Sequence, residues 1–215
     1  MKESNYFFLI ISISFLLESC VNNDPSSVPL STITYSNLNA DVGTSRDSLG
    51  KAFGTTGHFK FFSFRSGQPV ANADSLTTKW DVGFRGTTII VNGGPQRKGL
   101  GGAIVLNSPF DNLQSVPEDG YDVDSLVTIN TTSKLTYAIP DAVNSGWYTF
   151  NASTLLYSAI PNKVIVVRTA DKKYAKMEII NFYKNSPTSP KIQTDFDRYY
   201  TFKYVYQTNG GKSFN

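Results

Sequence analysis

The chain has 215 residues and a net charge of only +3, with its 20 Lys and Arg scattered among 17 Asp and Glu. A charge that small, without a basic stripe, argues against nucleic acid as a partner. The single Cys, Cys20, rules out a disulfide within the chain. The 29 aromatic residues (12 Tyr, 15 Phe and 2 Trp), with 16 Gly and 10 Pro, suit many strands joined by tight turns.

Residues 1–19 read as a lipoprotein signal peptide: Lys2 supplies a thin positive start, and Tyr6–Leu17 is an apolar stretch short for a bilayer span. It ends Ser19-Cys20, a small residue before the only Cys, which predicts lipidation at Cys20 although Glu18 is unusual there. Residues 20–30, with Asn22, Asn23, Pro25 and Pro29, read as the lipidated Cys and a flexible tether. Residues 31–215 then suffice for one domain with a sizeable core.

Within that domain, period-two patterns recur. Thr32–Tyr35 is a short first strand candidate. In His58–Arg65, Phe59, Phe61 and Ser63 alternate with Lys60, Phe62 and Phe64, so both faces of that strand are expected to be covered. Lys79–Arg85 alternates too, placing Trp80, Val82 and Phe84 on one face, with Trp80 as a core anchor. The β-branched run Thr87–Val91 follows and stops at Asn92-Gly93-Gly94-Pro95, and after a Gly-rich turn Ala103–Leu106 is a third strand. Ser108–Asp124 reads as a surface connection and Val127–Tyr137 as two short strands. Trp147–Phe150, Val164–Arg168, Tyr174–Tyr183 and Tyr199–Tyr206 complete the set, with Val164–Arg168 and Tyr174–Tyr183 as a hairpin. Ala152–Tyr157 is the best candidate for a short helical turn. The expected architecture is mostly β and antiparallel, about a dozen strands in two packed sheets with very little helix.

Catalysis finds little support, and the chain reads as a non-enzyme. His58 is the one His and opens an aromatic strand, so a partly buried structural role is expected of it. Spacing singles out no pair among Asp81, Glu178, Asp195 and Asp197, for which capping or surface roles are expected. Zinc would need ligand clusters that the sequence lacks. Met177 sits at alternating spacing and reads as core.

Several motifs occur in a fixed order: Trp80-Asp81; Lys98-x-x-Gly101-Gly102-Ala103; Val116-Pro117-x-x-Gly120-Tyr121-x-Val123-Asp124; Gly146-Trp147-x-x-Phe150; and Val167-Arg168-x-Ala170-Asp171 followed by Ala175-Lys176. From about Phe61 to Tyr206 this series resembles the HmuY family of bacterial haem-binding lipoproteins. The resemblance implies a mostly β fold with haem, its cofactor, pinched between loops of the C-terminal half. It also implies a lipid anchor in the outer membrane, exposure to the cell exterior, a role in iron acquisition and a TonB-dependent outer-membrane receptor as partner. Members with a His pair carry one His after the Gly-Tyr-x-Val-Asp motif and one just past Gly-Trp-x-x-Phe; here Ser125–Ser145 and Phe150-Asn151-Ala152 hold none. The replacement donors in or beside those regions are Tyr137, Tyr148 and Tyr157, each also readable as a sheet aromatic with its hydroxyl at the surface. Three readings stay open: weak or Tyr-mediated haem binding, another hydrophobic ligand in the same cleft, or no small ligand. In the last case a binding or adhesion lipoprotein would present loops to a glycan or a protein. The tripeptide Asp-Ser-Leu at residues 47–49, 74–76 and 124–126 suits turns and also resembles an O-glycosylation acceptor of some Gram-negative bacteria.

Overall fold

The computed structural model describes residues 30–48, 52–129 and 131–215. The expected signal segment, Cys20 and the expected tether up to residue 29 lie outside the described residues, as does Leu49. In chain order the strands are β1 (Ile33–Asn39), β2 (Ser45–Arg46), β3 (Ala52–Phe53), β4 (Lys60–Ser63), β5 (Gln68–Val70), β6 (Val82–Arg85), β7 (Thr88–Val91) and β8 (Gly102–Asn107). They continue with β9 (Ser125–Ile129), β10 (Thr132–Thr136), β11 (Tyr148–Asn151), β12 (Leu156–Ala159), β13 (Lys163–Arg168), β14 (Tyr174–Tyr183) and β15 (Asp197–Gln207). The helix among the described residues amounts to two three-residue 3-10 turns, Asn72–Asp74 and Phe110–Asn112, and no helix among them is long and apolar enough to cross a membrane.

Two sheets carry the fold, one of five strands in the order β1-β15-β14-β13-β8 and one of four in the order β5-β4-β6-β7. All their pairings are antiparallel. Three two-stranded ribbons, β2–β3, β9–β10 and β11–β12, add to the expected pair of sheets.

The period-two pattern of β15 builds the main core. Tyr200, Phe202, Tyr204 and Tyr206 point to one face and meet Phe62, Phe64, Val82 and Phe84 of the smaller sheet. Ring centroids lie 5.2 Å apart for Phe62–Phe202 and 5.5 Å for Phe84–Phe202. Removing each such ring from water contributes roughly 1.5–3 kcal/mol. Met177, with Ala175 and Ile179, lies in the same core. On the far face of the larger sheet, Val164, Val166 and Val205 are covered by Phe110, Val116 and Phe214. The Ser108–Asp124 connection thus supplies part of a second core rather than only crossing the surface. Buried Lys176 pins it there, donating to the Phe110 and Leu113 carbonyls at 2.9 and 2.8 Å.

Four features depart from the sequence expectations or add to them. Trp80 is buried, 1 % exposed, but not on the face of Val82 and Phe84: it packs with Phe61 and Ile90 under the opposite side of the small sheet. The strand begins only at Val82, and a bend at Asp81 breaks the alternation. Next, β8 leaves β6 and β7 and joins the larger sheet. The crossing is tight: a Cβ on Gly93 would meet the Gly101 carbonyl oxygen at 1.9 Å, so a side chain there is excluded. Third, the segment from Ala152 forms a turn and then β12 rather than a helical turn. Asn151 Oδ1 accepts the Ser153 and Thr154 N–H groups at 2.9 and 3.2 Å, and Leu155 takes φ of +59°, which closes a hairpin. Finally, His58 is exposed, whereas Asp81 is buried. Asp81 accepts the N–H of Phe64 at 2.9 Å and of Ala170 at 3.1 Å, so one carboxylate ties the two sheets together.

Candidate functional site

The turn after β6 is the keystone of a large cleft among the described residues. Gly86 donates its N–H to Ala40 O at 2.9 Å, and the buried Tyr200 hydroxyl donates to Gly86 O at 2.8 Å. Trp147 Nε1 donates to Thr87 O at 2.8 Å, and the hydroxyls of Thr87 and Thr88 both donate to Asp141. These bonds hold residues 85–88 against the β11–β12 hairpin. Opposite, the register of β14 on β15 shifts around Asn181, and Arg198 adopts φ of +65°, an uncommon conformation for a residue with a Cβ. Such a bulge bends a strand and re-aims its side chains; here it brings Phe182, Asp197 and Arg198 to the same opening.

The cleft measures about 660 Å³, within the roughly 300–1,000 Å³ of small-molecule sites. Phe150, Leu155, Tyr157, Phe182 and Ile192 give it apolar walls; Asp41, Asp47, Asp197, Arg85 and Arg198 give it charge. Tyr157 is the hub of the aromatic wall, with centroids 4.8 Å from Phe150, 5.5 Å from Phe182 and 5.6 Å from Tyr148. Trp147 supports it from behind, 5.0 Å from Tyr148 and 5.3 Å from Phe182. The main chain of Tyr157 is fixed as well, its N–H donating to the Tyr183 hydroxyl oxygen at 3.0 Å.

Burial, then the nearby Asp197 carboxylate, pushes the Tyr157 phenol above its ordinary value, while Arg198 pulls the other way. Burial likewise raises Tyr148. Burial works against the Asp41 carboxylate, but hydrogen bonds from the Thr56 side chain and main chain and from the Gly57 N–H prevail and bring it below the usual range. No group of three or more His, Cys, Asp or Glu among the described residues is placed to hold a metal ion.

Of the three tyrosines singled out in the sequence, the structure brings two together. Tyr157 lines the cleft, and Tyr148 lies directly behind it, buried, with its hydroxyl donating to Asp141 Oδ1 at 3.4 Å. Tyr137 sits elsewhere, half-buried against Trp80, Phe61 and Ile90. Cys20 is outside the described residues. Sequence reasoning missed Arg85, Phe182 and Arg198, which come from separate strands with no shared motif. The Asn and Asp residues clustered around residues 181–198 mark turns and bulges, but nothing local says that they face a cleft. The acids expected at caps or the surface divide: Asp195 caps a turn by accepting the Lys191 N–H at 2.7 Å, and Glu178 pairs with Lys203 at 3.0 Å. Asp197 is instead buried and pairs with Arg46 at 2.7 Å.

No curated protein matches the chain. Among solved structures it is similar to the apo HmuY analog of Tannerella forsythia, at 13 % identity over 83 % of this chain and 95 % of that one, with a TM-score of 0.51. It is also similar to a protein of Bacteroides vulgatus provisionally named HmuY-like and haem-binding, at 17 % identity, covering 86 % and 96 % of the two chains, with a TM-score of 0.47. A further similar structure is a provisionally named lipoprotein of Bacteroides fragilis, at 16 % identity, 84 % and 92 % coverage and a TM-score of 0.45. At 13 % identity the first of these likenesses concerns the fold alone. The family model of the HmuY protein, however, matches residues 56–204, strands β4 to β15 with the cleft walls among them, and on that span the chain belongs to the HmuY family.

Proposed function

We propose that this protein binds haem in the aromatic cleft as a surface-facing lipoprotein, anchored to the outer membrane through Cys20 and serving iron acquisition. It acts as a carrier and not an enzyme, with a TonB-dependent receptor as its membrane partner. The observation that carries the reading is the cleft itself: a volume of about 660 Å³ walled by Phe150, Tyr157 and Phe182, in a chain of the HmuY family. Flat aromatic walls suit a flat macrocycle, through stacking and exclusion of water.

The donor set fits a single oxygen ligand from the protein. Among the described residues no His, Met or Cys lines the cleft, and Tyr157 supplies the one phenol among them. Bound haem supplies an iron centre that lowers the pKa of a coordinated hydroxyl. Phe150 and Phe182 orient the ring and keep water out. Tyr157 holds its phenol proton until a ligand displaces it, because burial favours the neutral form. The main-chain bond to Tyr183 fixes the point on the cleft wall from which the Tyr157 ring projects.

Titrating the purified protein with haemin tests this. A broad high-spin Soret band that changes in Tyr157→Phe, but not in Tyr137→Phe, is expected, whereas a sharp low-spin spectrum of two-histidine type would overturn it. Cys20→Ser should release the protein from the membrane fraction, and unchanged membrane association would overturn the anchor. Among the described residues no His, Met or Cys side chain lines the cleft, which favours a second reading, a non-haem flat apolar ligand. That reading takes over if micromolar haemin leaves the spectrum unchanged.

A further inference from the structure

Around the cleft the acids accept hydrogen bonds or pair with cations, whereas two arginines, one of them 4.3 Å over the Phe59 ring, make no direct ion pair. The Asp41 carboxylate accepts the Thr56 N–H at 2.7 Å, the Thr56 hydroxyl at 2.8 Å and the Gly57 N–H at 2.9 Å. Asp197 pairs with Arg46 at 2.7 Å, and Asp47 likewise has a partner. Arg85 and Arg198, by contrast, form no ion pair among the described residues. Each gives one Nη1 hydrogen bond to a main-chain oxygen, Arg85 to Gly57 O and Arg198 to Asp41 O, both at 3.1 Å. A guanidinium presents five N–H donors in a rigid fork, so most of each fork remains open. Both side chains are half-buried and line the cleft beside the aromatic wall.

The Arg198 charge already lowers the pKa of the nearby Asp41 carboxyl without a direct ion pair, and an acid group brought by a ligand would fill the remaining N–H donors of both forks through charge-assisted, bidentate hydrogen bonds. The backbone at Arg198 adds to this. A positive φ at a non-glycine residue costs free energy, and such strain persists where the surrounding structure imposes it, often at ligand clamps. Here the bulge turns the Arg198 guanidinium toward the cleft and holds it there through Asp41 O.

We infer that the cleft selects flat apolar ligands bearing carboxylates, and that Arg85 and Arg198 are the residues that read the acid groups. This rests on the reading of the cleft as a porphyrin site, but it needs no iron. Stacking on Phe150, Tyr157 and Phe182 holds the ring without regard to its charge, so discrimination between acid and ester falls to the two guanidinium groups.

The test uses iron-free protoporphyrin IX and its dimethyl ester, titrated into the purified protein in the same dilute detergent and followed by porphyrin anisotropy. The free acid should bind at least about tenfold more tightly than the ester, the effect of one well-formed charge-assisted hydrogen-bond pair. Arg198→Gln and Arg85→Gln should each reduce that preference, and Arg198→Lys should retain part of it, with circular dichroism confirming the fold of each variant. Equal affinity of the wild-type protein for acid and ester would overturn the inference while leaving the porphyrin reading intact; this comparison requires no variant to fold. A preference that survives both Gln substitutions unchanged would also overturn it, because the acid would then be read elsewhere. Binding of neither porphyrin would overturn the inference together with the reading on which it rests.

Discussion

Truncation of Trp80 to Ala tests how the smaller sheet is sealed on the side away from the main core. Trp80 is 1 % exposed and lies 4.4 Å, centroid to centroid, from Phe61, with Ile90 completing the buried cluster and Phe59, Val70 and Tyr137 packed around it. Its Nε1 donates to Ser75 O at 3.0 Å, and the Arg97 guanidinium carbon sits 5.8 Å from the ring centroid. Losing a buried aromatic ring costs roughly 3–5 kcal/mol, cavity included. A domain of this size loses about 2–4 °C of melting temperature per kcal/mol, so the expected drop is roughly 6–20 °C. Thermal unfolding followed by circular dichroism reads it. Trp80 does not line the cleft, so porphyrin affinity measured well below the melting transition should not change. A drop of less than about 2 °C would show that the cluster of Phe61, Trp80 and Ile90 is not a tight core. A loss of porphyrin binding in a folded variant would refute the separation of that cluster from the cleft.

Two further outcomes follow from ionisation. Burial pushes the Asp81 carboxyl up to about 6, against the opposing N–H bonds of Phe64 and Ala170, with Asp171 adding to the rise and Arg65 reducing it. Its ionised form therefore costs stability above that value. The domain should gain on the order of 1–3 kcal/mol from Asp81 as the pH falls from about 7 to about 4, a gain missing in Asp81→Asn. Urea midpoints for both proteins across that range check this, and parallel profiles would rule out Asp81 as the source. At the cleft, the Tyr157 phenol is raised above its ordinary value, so an iron–oxygen bond there must release a proton. Haemin affinity should therefore rise with pH by up to about tenfold per unit, and Tyr157→Phe should flatten that slope; a slope unchanged in the variant would remove Tyr157 as the donor.

Much of the architecture follows from local pattern alone. Alternation in His58–Arg65 and Tyr199–Tyr206 shows which side chains share a face, because successive Cβ atoms in a strand point to opposite sides. The structure agrees: Phe62 and Phe64 enter the main core while Phe61 enters the cluster beneath. The hairpin of Val164–Arg168 with Tyr174–Tyr183 and the buried place of Met177 follow in the same way. The order of motifs from Trp80-Asp81 to Ala175-Lys176 was also legible, and it carried the family.

Other features depend on contacts between residues far apart in the chain. A period-two pattern cannot show where a strand starts, so Trp80 was assigned to the face of Phe84, although a bend at Asp81, bonded to Phe64 and Ala170, puts it on the other. The segment Ala152–Tyr157 looked helical because its composition allows it; the Asn151 side chain and the pairing of β12 with β11 decide for a hairpin. The cleft draws on residues from Asp41 to Arg198, and its cations owe their direction to a turn clamped by Tyr200 and to a bulge at positive φ. Register shifts and bulges are set by the whole sheet rather than by neighbours in the chain. Tyr137 and Tyr157 therefore looked equivalent in sequence, and only the tertiary structure put one under Trp80 and the other in the cleft.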